Sequence, residues 1–67
     1  MIEVIVNGER KQIGQSLNLR DLLLTLNLPT ERVAIELNKD VIRKKDWVET
    51  TMSNRDQIEV IHFVGGG

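Results

Sequence analysis

Cysteine is absent from the 67-residue chain, so no disulfide staples its fold and no thiol of its own does chemistry. Histidine occurs once, as His62. A structural zinc or iron site draws on several His and Cys ligands, and no metal is expected. Aromatic residues are almost missing, with one Trp, one Phe and no Tyr. Charge of one sign is not in excess either: nine basic residues face ten acidic ones, a formal net charge of -1. That balance argues against a nucleic-acid binder built on a basic face. No apolar run approaches the roughly 20 residues that span a bilayer, and no basic segment precedes the apolar residues of Met1-Ile2-Glu3-Val4-Ile5-Val6-Asn7. This start reads as a first strand and not as a signal peptide. The expectation is one small cytoplasmic domain with no nucleic-acid and no membrane partner. A domain of this length buries only about 60% of the surface its unfolded chain exposes, so its core is thin.

What is present is alternation. Ile2, Val4 and Val6 alternate with Glu3, Ile5 and Asn7, and the period of two with β-branched residues predicts a strand. Asn7-Gly8 follows, the strongest short hairpin signal. Arg10 to Ile13 returns as a more polar strand that suits a sheet edge. A helix is predicted next: Asn18 is an N-cap, Asp21 sits in the favourable field of the helix start, and Leu17 and Leu22 are spaced as a hydrophobic staple. Leu19, Leu22, Leu23 and Leu26 form one apolar stripe, with Leu24 off it. Asn27 and Pro29 end the helix. Val33, Ile35 and Leu37 share one face of a third strand. Asn38-Lys39-Asp40 is a turn candidate, and Val41 to Arg43 allows a short strand. Asp46 to Thr50 is a single turn or a 3₁₀ piece carrying Trp47, Ser53 to Asp56 is a turn, and Ile58 to Val64 is the last strand. A sheet with one amphipathic helix across a face closes a core, which makes this an α+β domain with a four- or five-stranded mixed sheet.

The chain closes on Phe63-Val64-Gly65-Gly66-Gly67. At average glycine usage a terminal Gly-Gly pair arises by chance at roughly 0.5%. Taken alone, the pair is equally readable as a frayed terminus. The remaining pattern adds to it. Val33-Ala34-Ile35-Glu36-Leu37-Asn38, Val41-Ile42-Arg43, Trp47, Asp56-Gln57-Ile58 and Val64-Gly65-Gly66-Gly67, with the first strand ending in Asn7 and the Leu22-Leu23 pair, resemble the ThiS family in order and spacing along the whole chain. One departure is Gly65, where many relatives carry another small or apolar residue.

The resemblance implies a ubiquitin-like β-grasp over residues 1–64 and a flexible glycine tail at 65–67, with the first and last strands as parallel neighbours in mid-sheet. It also implies a carrier and not an enzyme. A ThiF-type adenylating enzyme uses ATP to join AMP to the Gly67 carboxylate, a persulfide sulfur donor converts the adenylate to a thiocarboxylate, and a ThiG-type thiazole synthase takes the sulfur into the thiazole ring of thiamine. No cofactor would be bound permanently. The residue types suit this chemistry. A free carboxylate resists attack by nucleophiles, and adenylation supplies its leaving group. Glycines give a tail narrow enough for a deep site, because no Cβ meets the walls. Ordering that tail costs about 1–2 kcal/mol per residue, so the folded domain has to offer docking surface.

Helix-side positions 2, 4, 6, 33, 37, 58 and 60 leave Ile5, Ala34, Glu36, Ile61 and Phe63 on the opposite face. Ile5, Ile61 and Phe63 are therefore expected to form a contiguous apolar patch beside the tail that ends in Gly67, and contiguous exposed apolar residues mark partner sites; Val64, Gly65 and Gly66 are expected to bind the partner with it. Single exposed apolar residues need no such reason. His62 reads as a solvated strand residue, Trp47 as packing beneath the short strand, and Arg43-Lys44-Lys45 as a solvated face. Three other functions remain open on the sequence: the small subunit of molybdopterin synthase, a ubiquitin-like protein modifier, and a non-catalytic β-grasp interaction domain.

Overall fold

The computed structural model describes residues 1–63. The glycine tail, its expected flexibility, and Val64 of the expected last strand lie outside the described residues. The elements are β1 (Ile2–Val6), β2 (Glu9–Ile13), α1 (Leu19–Thr25), β3 (Val33–Leu37), β4 (Asp40–Ile42), a 3₁₀ segment (Lys44–Glu49) and β5 (Gln57–His62). They build one five-stranded sheet in the order β2-β1-β5-β3-β4. β5 is central, parallel to β1 and antiparallel to β3. This is the expected mixed sheet, and the polar strand β2 lies at its edge.

Two tight hairpins set the register. Between β1 and β2, Asn7 and Gly8 take φ of 50° and 83°, so both central residues are left-handed, as a type I′ turn requires. Between β3 and β4, Asn38 and Lys39 repeat this with φ of 51° and 75°. The ladders then pair Val6 with Glu9 and Leu37 with Asp40 at the turns.

The helix has only seven residues, too few to be stable alone, so packing holds it. Asn18 has extended backbone, and its Oδ1 accepts the Asp21 N–H at 2.8 Å. At the other end Asn27 (φ 56°) turns the chain. The Asn27 N–H donates to Leu24 O at 3.2 Å and the Leu28 N–H to Leu23 O at 2.8 Å, the paired bonds of a Schellman ending. Leu19, Leu22 and Leu23 are fully buried, whereas Leu24 is 54% exposed. They pack with Val4, Val6, Ile13, Ile35, Trp47, Met52 and Ile58 into one core. Trp47 is buried as expected, and its Nε1–H donates to the Ile42 carbonyl at 3.0 Å, which satisfies the one polar atom of the indole.

The last strand is shorter at its C-terminal end than the alternation predicted. Pairing with β3 ends at Val33–His62, because Arg32, the next residue of the partner strand, has φ of 59° and leaves the extended region. One further bond remains beyond it, from the Phe63 N–H to Arg32 O at 2.7 Å.

Candidate functional site

The end of β5 is the part of the fold from which the glycine tail continues. Its side chains alternate between the two faces of the sheet. Ile58 is buried and Val60 half-buried on the helix side, and Gln57, Glu59 and Ile61 point to the bare face. The antiparallel register sets Ile61 beside Ala34 and Glu59 beside Glu36. On the same face Val41 lies opposite Glu36 and is 67% exposed. Ile61 and Phe63 are exposed by 41% and 55%.

Ile5 does not join them. The parallel register places Ile5 beside Gln57, and β1 pairing stops one residue later, at Val6–Ile58. Ile61 is four residues further along β5, about 13 Å at the usual strand rise, with Glu59 between. Ile5 is also only half-exposed. The expected contiguous patch is thus corrected to Ile61 and Phe63 with Ala34 at their side, and Ile5 is a separate position. The sequence pattern identified the face correctly, but alternation says nothing of the offset between parallel strands.

The bare face is also electrostatically uneven. Glu36 and Glu59 stand directly opposite each other, an unfavourable cross-strand pair. The ion pairs among the described residues lie elsewhere: Lys11–Glu9, Lys44–Glu31 and Lys45–Asp46, all at exposed side chains. Exposed pairs of this kind contribute little to stability, and the basic run at Arg43–Lys45 behaves as the solvated surface expected of it. His62 is exposed on the helix side of the strand, opposite Val33. Among the described residues no group of His, Cys, Asp and Glu is placed to hold a metal ion, and no helix is long and apolar enough to cross a membrane.

Two turn asparagines, Asn7 and Asn38, hold β5 in place by their side chains, and a third, Asn54, ties β1 to the turn that precedes β5. The Glu3 N–H donates to Asn54 Oδ1 at 2.9 Å, the Gln57 N–H to Asn38 Oδ1 at 2.9 Å, and the Val60 N–H to Asn7 Oδ1 at 2.8 Å. Nothing in composition or periodicity distinguishes an asparagine that only turns the chain from one that also bonds a distant strand.

With this geometry in hand, the sequence profile of the ThiS family matches residues 4–67, through the terminal glycines. The chain belongs to the ThiS family. It is 43% identical over 49 residues to a Bacillus subtilis protein named sulfur carrier protein ThiS, covering 73% of this chain and 74% of that one. It is 36% identical over 66 residues to a thiazole synthase of Magnetococcus marinus, covering 98% of this chain and 20% of that protein. The chain therefore spans about a fifth of the length of the thiazole synthases it matches. The crystal structure of a thiamine biosynthesis protein, ThiS, from Geobacter metallireducens superposes with a TM-score of 0.86 at 33% identity, covering 98% of this chain and 100% of that one. The shared fold is the β-grasp that the resemblance implied.

Proposed function

We propose that this chain is a sulfur carrier of thiamine biosynthesis whose working group is the Gly67 carboxylate. The observation that carries the reading is the family match extending through residue 67, on a fold whose central strand leads towards that residue. In the first step a carboxylate oxygen attacks the α-phosphorus of ATP on a ThiF-type adenylating enzyme, and pyrophosphate leaves. The terminal persulfide sulfur of a donor then attacks the acyl carbon and AMP leaves, forming an acyl disulfide. A second thiol cleaves its S–S bond, leaving a thiocarboxylate on Gly67 and a disulfide on the donor side. A ThiG-type thiazole synthase consumes the thiocarboxylate. The chain supplies position and one carboxylate, and the catalytic groups belong to its partners. Its lack of cysteine suits this division, since the sulfur rides on a carbonyl carbon.

Ile61 and Phe63, with the acidic Glu36–Glu59 pair behind them, form the docking face in this reading. An adenylating enzyme that presents apolar side chains beside a basic one relieves the repulsion between the two glutamates and covers the exposed Phe63 ring and Ile61 side chain. Val64, Gly65 and Gly66 are the segment that enters the enzyme. The test is intact-mass spectrometry after incubation with ATP, the adenylating enzyme and a persulfide donor. One oxygen replaced by sulfur, located at Gly67 by fragmentation, is the expected product. An unchanged mass, or an isopeptide bond from Gly67 to a lysine, overturns the proposal.

A further inference from the structure

In the parallel ladder between β1 and β5 the donors alternate in sequence. The Ile5 N–H donates to Asp56 O at 2.9 Å and the Asn7 N–H to Ile58 O at 2.9 Å. The next bond of a continued ladder would run from the Val60 N–H to the main-chain carbonyl of residue 7. That carbonyl is unavailable, because Asn7 turns the chain into the hairpin at φ 50°. The Asn7 side chain takes its place, with Oδ1 2.8 Å from the Val60 nitrogen. One residue thus starts the turn, ends β1 and supplies the ladder acceptor that β1 no longer provides. Beyond Val60, among the described residues, no strand lies on the β1 side of β5, and His62 and Phe63 are held from the other side by Val33 of β3 and by Arg32 just before it.

We propose that Asn7 is a positioning residue for sulfur loading: its side-chain acceptor keeps the end of β5 in the plane of the sheet, so that the residues from which the tail continues present it to the adenylating enzyme from a fixed place. The inference rests on the carrier reading above. Asn7 touches no reacting atom. It acts on the fraction of molecules whose strand end is ready to dock, and the apparent affinity scales with that fraction. Losing it therefore raises the KM for the carrier and leaves kcat unchanged.

The experiment compares Asn7→Gly, Asn7→Asp and Ile13→Val. Glycine keeps the positive φ of the turn and removes the acceptor. Aspartate keeps both, since Asp-Gly also suits a type I′ turn and a carboxylate oxygen accepts the same bond. Ile13→Val shortens a core side chain at the other end of the hairpin, where Ile13 pairs with Ile2, and serves as a control for lost stability alone. Amide hydrogen exchange of the free carrier and steady-state kinetics of thiocarboxylate formation are read on each. Asn7→Gly is expected to expose the Val60 amide to fast exchange and to raise KM by up to about fivefold, the limit set by one net hydrogen bond. Asn7→Asp and Ile13→Val are expected to match the parent in KM and at the Val60 amide. Unchanged exchange at Val60 in Asn7→Gly overturns the clamp, and so does an equal rise of KM in Ile13→Val. If the parent chain is not loaded with sulfur at all, the carrier reading fails. The exchange data alone then decide whether Asn7 holds β5.

Discussion

Leu23 and Leu24 are neighbours in α1 with the same side chain and opposite surroundings: Leu23 is fully buried and Leu24 is 54% exposed. Replacing Leu23 by alanine removes three carbons from the buried core cluster and leaves a void there, which costs about 2–5 kcal/mol. The core is one layer thick and the helix has seven residues, so partial collapse brings the expected value to about 3 kcal/mol. A domain of this length holds roughly 3–10 kcal/mol in total. The change is therefore a large part of its stability and shifts Tm by about 12–24 °C. Leu24→Ala removes the same atoms from solvent-facing surface and is expected to stay within about 0.5 kcal/mol. Urea unfolding followed by the fluorescence of Trp47, the only tryptophan and itself buried, measures both variants against the parent with one reporter. Equal losses in the two variants, or a Leu23→Ala change as small as that of Leu24→Ala, would refute the assignment of the helix face.

Removing Gly67 retracts the carboxylate by one residue, up to about 3.6 Å, the size of the reacting distance itself; circular dichroism should stay normal while intact-mass spectrometry shows little thiocarboxylate. Ile61→Asp puts a charge on the exposed end of the bare face, so binding to the adenylating enzyme, followed by calorimetry, should weaken with little change in Tm. Unfolding of this variant with unweakened binding by its folded fraction would place Ile61 in the core. Asn18→Ala deletes the acceptor of the Asp21 N–H and should lower stability by about 1 kcal/mol; a neutral effect in urea unfolding would mean that the cap bond does not form in solution.

Much of this architecture was legible from local chemistry. Asn7-Gly8 located the first hairpin, and Asn18 with the leucine stripe located the helix and its buried face. Val33, Ile35 and Leu37 marked the third strand, because each such signal acts over a few residues. What stayed hidden acts at long range. The offset that sets Ile5 beside Gln57 rather than Ile61 depends on how two strands fifty residues apart slide past each other, and neither strand carries a record of it. The end of β5 was misplaced for a similar reason: its alternation continues, but the partner strand is broken by the left-handed backbone of Arg32, a residue with no compositional mark of a turn. For the site, the exposed ends Ile61 and Phe63 could be read from alternation alone. The asparagine bonds to β5 could not.

The Asn7-Gly8 turn also gives the molecule a chemical clock. Because glycine has no side chain, its backbone nitrogen can reach the neighbouring asparagine amide with little hindrance, which makes Asn-Gly the pair most open to succinimide formation and deamidation. Hydrolysis to isoaspartate inserts a methylene into the main chain at position 7. The inserted carbon lengthens a two-residue turn that has no slack and carries the side-chain oxygen away from Val60. The bond from the Val60 N–H opposes this by holding the amide in one orientation, so the folded strand end protects the residue that secures it. Unfolded or thermally stressed chains lose that protection, and isoaspartate at position 7, read by peptide mapping, would record how long a sample had spent with its last strand loose.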